Sequence, residues 1–289
     1  MQRRRFLTVC GAGLLAGCLG ESGANTPDDA GEPGSPGDTP GEDDTPSDGA
    51  SDGPAVSVDV ETLQPALVAL STPDSIGVYS ADRTQYLFLQ LAAEGDEAPT
   101  RSELEFRFDG NLHDPFEGED ATDLWRLYDE AASRYDAERG EGWICFPLPA
   151  TGTPEGAGLT WDGGVWGAGP ALRDRLAAEA PPLSVSWSAP DTVEADRAPT
   201  VELSVTNEGE REGRFVGALN RVGPRVAYTP VTSASRRIPA GGTETWTLDT
   251  DELDGTGGWT PEEGPTEATY HLHWPSGHEQ RDIEVVPRE

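Results

Sequence analysis

Lysine is absent from this sequence, and positive charge of any kind is scarce. The 289 residues carry 53 Asp and Glu against 20 Arg, which gives a formal net charge of −33. Nucleic acids and anionic membrane surfaces are bound by clustered positive charge. The composition therefore argues against nucleic acid as a partner and against electrostatic attachment to a membrane surface.

Long hydrophobic runs are also missing. The mean hydropathy is −0.53. The most apolar stretch, residues 6–17, has 12 residues, whereas a membrane-spanning helix needs about 20. These values exclude a polytopic membrane protein.

The first 18 residues have the pattern of an export signal. A basic start at Arg3, Arg4 and Arg5 precedes the apolar stretch, which ends in the small residue Gly17 before Cys18. The run Arg-Arg-x-Phe-Leu that begins at Arg3 resembles the twin-arginine motif, whose machinery exports folded proteins. Leu-Ala-Gly-Cys, ending at Cys18, resembles a lipobox, in which the signal is cut before the cysteine and the thiol receives a lipid.

These motifs predict a signal peptide over residues 1–17 and a lipid on Cys18. Two acyl chains hold a protein firmly on a membrane, at about 0.8 kcal/mol for each buried methylene. We therefore expect the protein outside the cytoplasm, facing outward, with the membrane as a partner through the lipid alone.

Cysteine is scarce, and its positions exclude a disulfide framework. Of the three cysteines, Cys10 lies in the predicted signal and Cys18 carries the predicted lipid, which leaves Cys145 as the only thiol. An intramolecular disulfide is then impossible, although the location is oxidising. The fold must be stabilised by its own hydrophobic core.

Residues 18–54 are predicted to form a disordered acidic linker. Residues 21–54 hold ten Asp and Glu, no Arg and no aromatic residue, interleaved with Gly, Pro, Ser and Thr. Such a segment has too little apolar surface to offset its chain entropy. A solvated spacer is the leading interpretation, and cation binding by its carboxylates is the alternative.

Residues 55–180 are predicted to form a β-sandwich-like domain with helical insertions. Residues 84–91 and 142–148 have the composition of buried strands, and 158–166 resembles a later strand. Residues 102–108 alternate, with Leu104, Phe106 and Phe108 on one face, before a turn at Asp109-Gly110. Helical spacing predicts one helix from Leu124 to Tyr135 and a second from Pro170 to Ala180.

Residues 183–289 are predicted to form an immunoglobulin-like sandwich. Short apolar runs recur in about 100 residues and give about seven strands, the number typical of this fold. The runs are 183–187, 200–206, 214–219, 225–228, 243–248, 268–274 and 282–286. The predicted fold is therefore mostly β, with two tandem sandwiches separated at Pro181-Pro182.

Several segments resemble known families. Val201–Gly209, followed by Ile238–Thr243, is similar to cell-adhesion-related (CARDB-type) immunoglobulin-like domains, in which a strand ending in Val-x-Asn-x-Gly is matched by an Ile-Pro-Ala-Gly turn. The first domain is similar to the telokin-like domain of prokaryotic lipoproteins. The signal, the spacer and the acidity together resemble surface lipoproteins of haloarchaea. This resemblance implies no shared catalytic residues. The acidity itself predicts a fold that is stable only in high salt, because molar salt screens carboxylate repulsion to within about 3 Å.

His271, His273 and His278 are the candidate metal ligands. In a strand, the first two share a face that we expect toward solvent, and a turn at 275–277 returns the third nearby. No fourth ligand is evident, so we predict no metal and no cofactor. An acidic loop at Asp249, Asp251 and Asp254 lacks the register of a calcium loop.

The eight tryptophans are interpreted as core residues, with a carbohydrate-binding platform as the alternative. No catalytic motif is assembled, and we predict that the protein is not an enzyme. The leading interpretation is a lipid-anchored surface protein that presents two sandwiches to a protein or polysaccharide partner. The alternative is a solute- or metal-binding lipoprotein that serves a transporter or an envelope enzyme. A cleft between the sandwiches lined by tryptophan, or converging histidines, would favour the alternative, and two separate sandwiches without a pocket would favour the leading interpretation.

Overall fold

The computed structural model describes residues 55–72, 74–94, 98–116, 134–223, 227–253 and 266–288. The export motif at Arg3 and Arg4, the predicted lipid site Cys18 and the predicted linker lie outside these residues. Most of the predicted helix over 124–135 lies outside them as well.

Among its described residues, the first part of the chain contains two sheets, one hairpin, one α-helix and a short 3-10 helix at Arg101–Glu103. Its elements are β1 (Ala55–Gln64), β2 (Leu67–Thr72), β3 (Ser75–Tyr79), β4 (Thr84–Glu94), β5 (Glu105–Phe108), β6 (Asn111–His113), β7 (Glu141–Pro149), β8 (Gly158–Trp161), β9 (Gly164–Gly167) and α1 (Pro170–Leu176). One sheet has the order β1-β4-β7 and the other β6-β5-β8-β9, while β2 and β3 pair as a hairpin.

Alternating apolar residues join these two sheets, as predicted for a sandwich. Leu104, Phe106 and Phe108 are all fully buried, which confirms the alternation over 102–108. Phe106 packs against Phe146 of β7 with 5.7 Å between ring centroids. Aromatic pairs of this kind add about 0.5–1.5 kcal/mol beyond the burial of their apolar surface. The predicted strands over 84–91 and 142–148 are also present, as β4 and β7.

The predicted turn between β5 and β6 is a two-residue hairpin loop. Phe108 pairs with Asn111, and the two residues between them have positive φ angles, 51° at Asp109 and 75° at Gly110. A type I′ turn requires this conformation at both positions, and Asp-Gly adopts it readily. The turn is therefore confirmed, with a physical reason in its sequence.

The helical predictions were right in part. Helix α1 begins at Pro170 as expected but ends at Leu176, four residues earlier than predicted. Tyr135, the predicted end of the other helix, is not helical. Its backbone N–H donates to the Trp143 carbonyl at 2.8 Å, and its hydroxyl donates to the Pro99 carbonyl at 2.9 Å. Tertiary hydrogen bonds therefore determine the conformation of Tyr135.

The second part of the chain is a sandwich of a three-stranded and a five-stranded sheet. Its strands are β10 (Leu183–Ser188), β11 (Thr192–Glu194), β12 (Val201–Asn207), β13 (Gly213–Val222), β14 (Thr229–Ile238), β15 (Thr243–Leu248), β16 (Thr266–Trp274) and β17 (Gly277–Val286). The sheet orders are β10-β12-β15 and β11-β17-β16-β13-β14. The apolar residues between the sheets include Val201, Leu203, Phe215, Tyr270 and Ile283.

Two strands of this sandwich differ from the sequence prediction. The sequence did not predict β11, which is a short edge strand parallel to β17. The strand predicted over 225–228 is wrong in its described residues, since residues 227 and 228 form a bend and β14 follows them. β14 lies at a sheet edge and is mostly half-buried, so it carries Ser, Thr and Arg where the prediction required apolar residues.

The β2–β3 hairpin lies against the outer face of the five-stranded sheet. Ala66, Val68 and Ile76 pack with Val216 and Ala218 of β13 in one buried cluster. Residues 49–289 belong to one compact unit, and the division into domains at 55–180 and 183–289 stays a prediction. Within the described ranges, no helix has both the length and the hydrophobicity needed to cross a membrane.

A buried asparagine fixes the hairpin in place. Asn220 of β13 has no exposed surface. Its Oδ1 accepts from the Ile76 N–H at 2.8 Å, and its Nδ2 donates to the Ile76 carbonyl at 2.8 Å. β3 is an edge strand, so Ile76 has no neighbouring strand on this side. The Asn220 side chain makes the two backbone hydrogen bonds that such a strand would make. We call this pair of hydrogen bonds the Asn220 clamp.

Candidate functional site

A cleft of about 700 Å³ opens where the β1–β2 connection, α1 and the second sandwich meet. Six segments line it. They are the end of β1 with Pro65, the turn before β4 with the start of that strand, Ala150 after β7, the residues from the end of α1 to Pro181, the start of β13 with the residues before it, and the end of β14. Its volume is within the range of about 300–1,000 Å³ that is typical of small-molecule sites.

The cleft is lined by more arginines than acids. Five of the chain's 20 Arg line it, against three carboxylates, although acids outnumber Arg 53 to 20 in the sequence. The arginines are Arg83, Arg175, Arg211, Arg214 and Arg237, and the acids are Asp174, Glu179 and Glu212. We call this site the arginine cleft. Its local balance of charge is opposite to that of the chain.

Two of these arginines are paired with carboxylates. Arg175 forms an ion pair with Glu61 of β1, and both side chains are largely covered. Arg237 Nε lies 3.8 Å from Glu212 Oε1. These pairs tie α1 to β1 and β14 to the start of β13, so they help to shape the walls.

Two other arginines contact uncharged groups. Arg214 Nη1 donates to Ser235 Oγ at 3.0 Å, and that hydroxyl donates to Gln64 Oε1 at 3.2 Å. Arg211 Nη1 approaches the Asp174 carbonyl at 3.5 Å, beyond the usual range for a strong hydrogen bond. The charge of Arg211 is therefore not neutralised by this contact.

Arg83 is held in an unusual backbone conformation. Its φ is 57°, in the left-handed region that disfavours residues with a Cβ. The Ala150 N–H donates to the Arg83 carbonyl at 2.8 Å and fixes the turn. Across the described parts of the chain, its exposed guanidinium group has neither a hydrogen-bond nor an ion-pair partner.

The rest of the lining is apolar or held by internal hydrogen bonds. Pro65, Ala150, Ala177, Ala178 and Pro181 contribute small apolar surfaces. Two further lining residues are buried glutamines. Gln64 Nε2 donates to the Ala66 carbonyl at 2.7 Å, and Gln85 Nε2 donates to the Pro149 carbonyl at 2.8 Å. The polar groups at the base of the cleft are thereby fixed.

The structure brings two of the three candidate histidines together. Pro275 and Ser276 form the turn between β16 and β17, and His273 and His278 pair across it with stacked rings 5.9 Å apart. Tyr228 lies against His271, with 5.4 Å between ring centroids. Within the described residues, no three His, Cys, Asp or Glu side chains are grouped as metal ligands would be.

The expected exposure of His271 and His273 was wrong. Both are half-buried, because the β2–β3 hairpin and Tyr228 lie over the outer face of the sheet. Burial lowers the pKa of both imidazoles below the ordinary value. The neighbouring His278 lowers both further, whereas Asp282 opposes the shift at His271. This arrangement favours neutral imidazoles.

Tryptophan faces are covered by arginine or by the core. Arg236 lies over Trp246 at 4.8 Å from the ring centroid, and Arg281 lies over Trp187 at 5.2 Å. Trp143 is buried beside Cys145. The described tryptophans are buried or half-buried, which agrees with the core interpretation. Trp125, Trp259 and Asp254 lie outside the described residues.

Cys145 is a free, buried thiol. Burial raises its pKa well above the ordinary range, which keeps the sulfur protonated and unreactive. The thiol packs in a cluster with Leu67, Phe88 and Trp143. Its role in the structure is apolar packing.

Sequence reasoning did not find the arginine cleft. Its arginines come from positions 83 to 237 and share no motif or spacing. The available signal was the local density of arginine in a chain poor in cations, at Arg211 with Arg214 and at Arg236 with Arg237. Only the fold shows that these two parts of the sequence lie on one surface.

No protein-family model matches the chain, and no curated protein sequence matches it. Among solved structures, the CARDB domain of the PF1109 protein from Pyrococcus furiosus, in complex with di-metal ions, aligns at 14% identity with a TM-score of 0.30. The alignment covers 39% of this chain and 99% of that domain. This neighbour is of the type that Val201–Gly209 resembles in sequence.

Two further alignments involve larger proteins. A beta-glucosidase from Listeria innocua aligns at 12% identity with a TM-score of 0.29, over 38% of this chain and 17% of that one. The alkylpurine DNA glycosylase AlkC of Pseudomonas fluorescens aligns at 10% identity with a TM-score of 0.29, over 37% and 31%. The chain therefore matches less than a third of either protein. These alignments assign neither a family nor an activity to it.

Proposed function

We propose that the protein is a non-enzymatic binding protein, held outside the cell by a lipid on Cys18. The proposal of export and anchoring rests on the sequence. Twin arginines, an apolar stretch and a lipobox cysteine occur in order within 18 residues.

The observation that carries the binding role is the arginine cleft. The clamp and the Ile76 cluster hold the β2–β3 hairpin on the second sandwich, and β1 leads directly into this hairpin. Binding to a preformed cleft costs less ordering entropy than binding to a surface that must rearrange. A rigid, charged cleft on a tethered body is suited to holding a ligand.

Two forms of this function differ in the ligand. A cleft of about 700 Å³ favours a solute, carried for a transporter or an envelope enzyme. Presentation of the sandwiches to a protein or polysaccharide partner is the other form, and it needs a broad surface instead of a cleft. We therefore place the solute-binding form first.

Fractionation of cells tests the anchor. We expect the wild-type protein in the membrane fraction, accessible to protease added to intact cells, and we expect Cys18→Ala in the soluble or secreted fraction. Cys145→Ala is the matched control, because it removes a thiol that we assign to packing. Retention of the Cys18→Ala protein on membranes would show that the lipid assignment is wrong.

A further inference from the structure

We infer that the arginine cleft binds a small organic anion through a carboxylate or phosphate group, with Arg83 and Arg211 as the groups that contact it. The inference rests on the proposed binding function and names its ligand class. Guanidinium groups match carboxylates and phosphates because their planar N–H donors can form two parallel hydrogen bonds.

The first argument is the distribution of charge. Five arginines and three acidic residues line the cleft of a chain with a net charge of −33. The acidic remainder of the protein repels anions in general, so an anion is retained only where arginines are concentrated. A cleft also strengthens the attraction, because its apolar walls focus the field.

The second argument is that the arginines divide into two groups. Arg175 and Arg237 are neutralised by Glu61 and Glu212 and serve the walls. Arg83 and Arg211 have no carboxylate within ion-pair distance among the described residues. Their positive charge is therefore available to a ligand.

The third argument is the backbone conformation of Arg83. A left-handed conformation is unfavourable for a residue with a Cβ, whereas glycine adopts it freely. The φ of 57° is fixed by the Ala150 hydrogen bond, which any residue at this position would accept. Strain of this kind is characteristic of binding sites. Here it places a guanidinium group at the cleft.

The remaining lining indicates the ligand's size and character. Alanine and proline side chains provide walls without further hydrogen-bonding groups, so they suit an uncharged ligand body. The volume of about 700 Å³ admits a molecule of the size of a sugar acid or sugar phosphate. The lining therefore fits a ligand with one anionic group on a compact body.

Three probes with a common body test the inference. Glucose, glucuronate and glucose 6-phosphate are titrated calorimetrically into the full-length protein, at one fixed ionic strength at which circular dichroism shows it folded. We expect glucuronate or glucose 6-phosphate, or both, to bind at least about tenfold more tightly than glucose. The stronger of the two identifies the preferred anionic group.

Variants assign the binding to the cleft. Arg83→Gln and Arg211→Gln each remove one cleft charge, and Arg107→Gln is the matched control because it removes an exposed charge of β5 outside the cleft. A charged hydrogen bond contributes about 1.5–3 kcal/mol, so we expect each cleft variant to weaken anion binding about tenfold or more. Arg107→Gln leaves it unchanged.

Two results would overturn the inference. One is that neither anion binds better than glucose. The other is that both cleft variants bind the anions as well as Arg107→Gln does. The titration does not depend on the lipid. If the wild-type protein binds the anion but is not retained on membranes, the Cys18 assignment is refuted and the ligand class stands.

Discussion

Replacing Asn220 with alanine removes the Asn220 clamp without changing the charge. The side chain is fully buried, and its amide makes two 2.8 Å hydrogen bonds to the backbone of Ile76. In Asn220→Ala, the Ile76 N–H and carbonyl stay buried between the hairpin and β13 but lose their hydrogen-bond partners. The variant therefore isolates the polar part of the contact between the hairpin and β13.

The expected cost follows from the number of groups left unpaired. A buried hydrogen-bonding group without a partner costs about 1–3 kcal/mol. With two such groups, we expect Asn220→Ala to lower the free energy of unfolding by about 2–6 kcal/mol. Domains have about 5–15 kcal/mol in total, so this is a large fraction.

Urea unfolding at constant high salt measures the loss, and hydrogen exchange locates it. Amide exchange in β3 should become faster in Asn220→Ala by more than the global loss explains. Asn207→Ala is the control, since Asn207 is equally buried but donates to the Arg211 and Ile238 carbonyls at 2.7 and 3.0 Å. It should destabilise the second sandwich without selective exchange in β3. If Asn220→Ala loses less than about 0.5 kcal/mol and β3 stays protected, the clamp does not hold the hairpin.

Three further predictions concern strain, protons and salt. Arg83→Gly should raise the free energy of unfolding by about 0.5–1 kcal/mol, because relief of the left-handed strain exceeds the entropy that glycine adds to the unfolded chain; a lower midpoint in urea would show that the backbone is not strained. The pKa values of His271 and His273 are lower in the folded state, so the unfolded state binds more protons and stability should decline as the pH falls below the ordinary histidine pKa of about 6.5. The double variant His271→Gln/His273→Gln should show less of this decline, and an unchanged pH profile would contradict it. Transfer from molar to 50 mM salt should lower the thermal midpoint through carboxylate repulsion, and an unchanged midpoint would refute the dependence on salt.

Local patterns allowed much of the fold to be predicted. The alternation of Leu104, Phe106 and Phe108 predicts a one-sided strand, and Asp109-Gly110 predicts its turn, because both depend on neighbouring residues alone. The same is true of the register of the histidines in β16. Their exposure was predicted wrongly because the hairpin that covers His273 comes from residues 67–79. Contacts between distant segments leave no periodic signal in either one.

The candidate site lies almost wholly in the part that sequence could not predict. Arg83 lies in a turn, Arg175 on a helix, and Arg211 and Arg214 at the start of β13. Each one separately looks like an ordinary surface arginine.

Edge strand β14 was missed for a related reason, since a strand with one open edge needs fewer apolar residues than the patterns used for buried strands.

The mass of the amino-terminal peptide tests the central claim most directly. For protein isolated from membranes, the account predicts that the chain begins at Cys18 and carries a lipid on that residue. The same peptide from Cys18→Ala cells should carry no lipid. An unmodified chain that retains residues 1–17, recovered from the cytosol of cells with working export, would contradict the account.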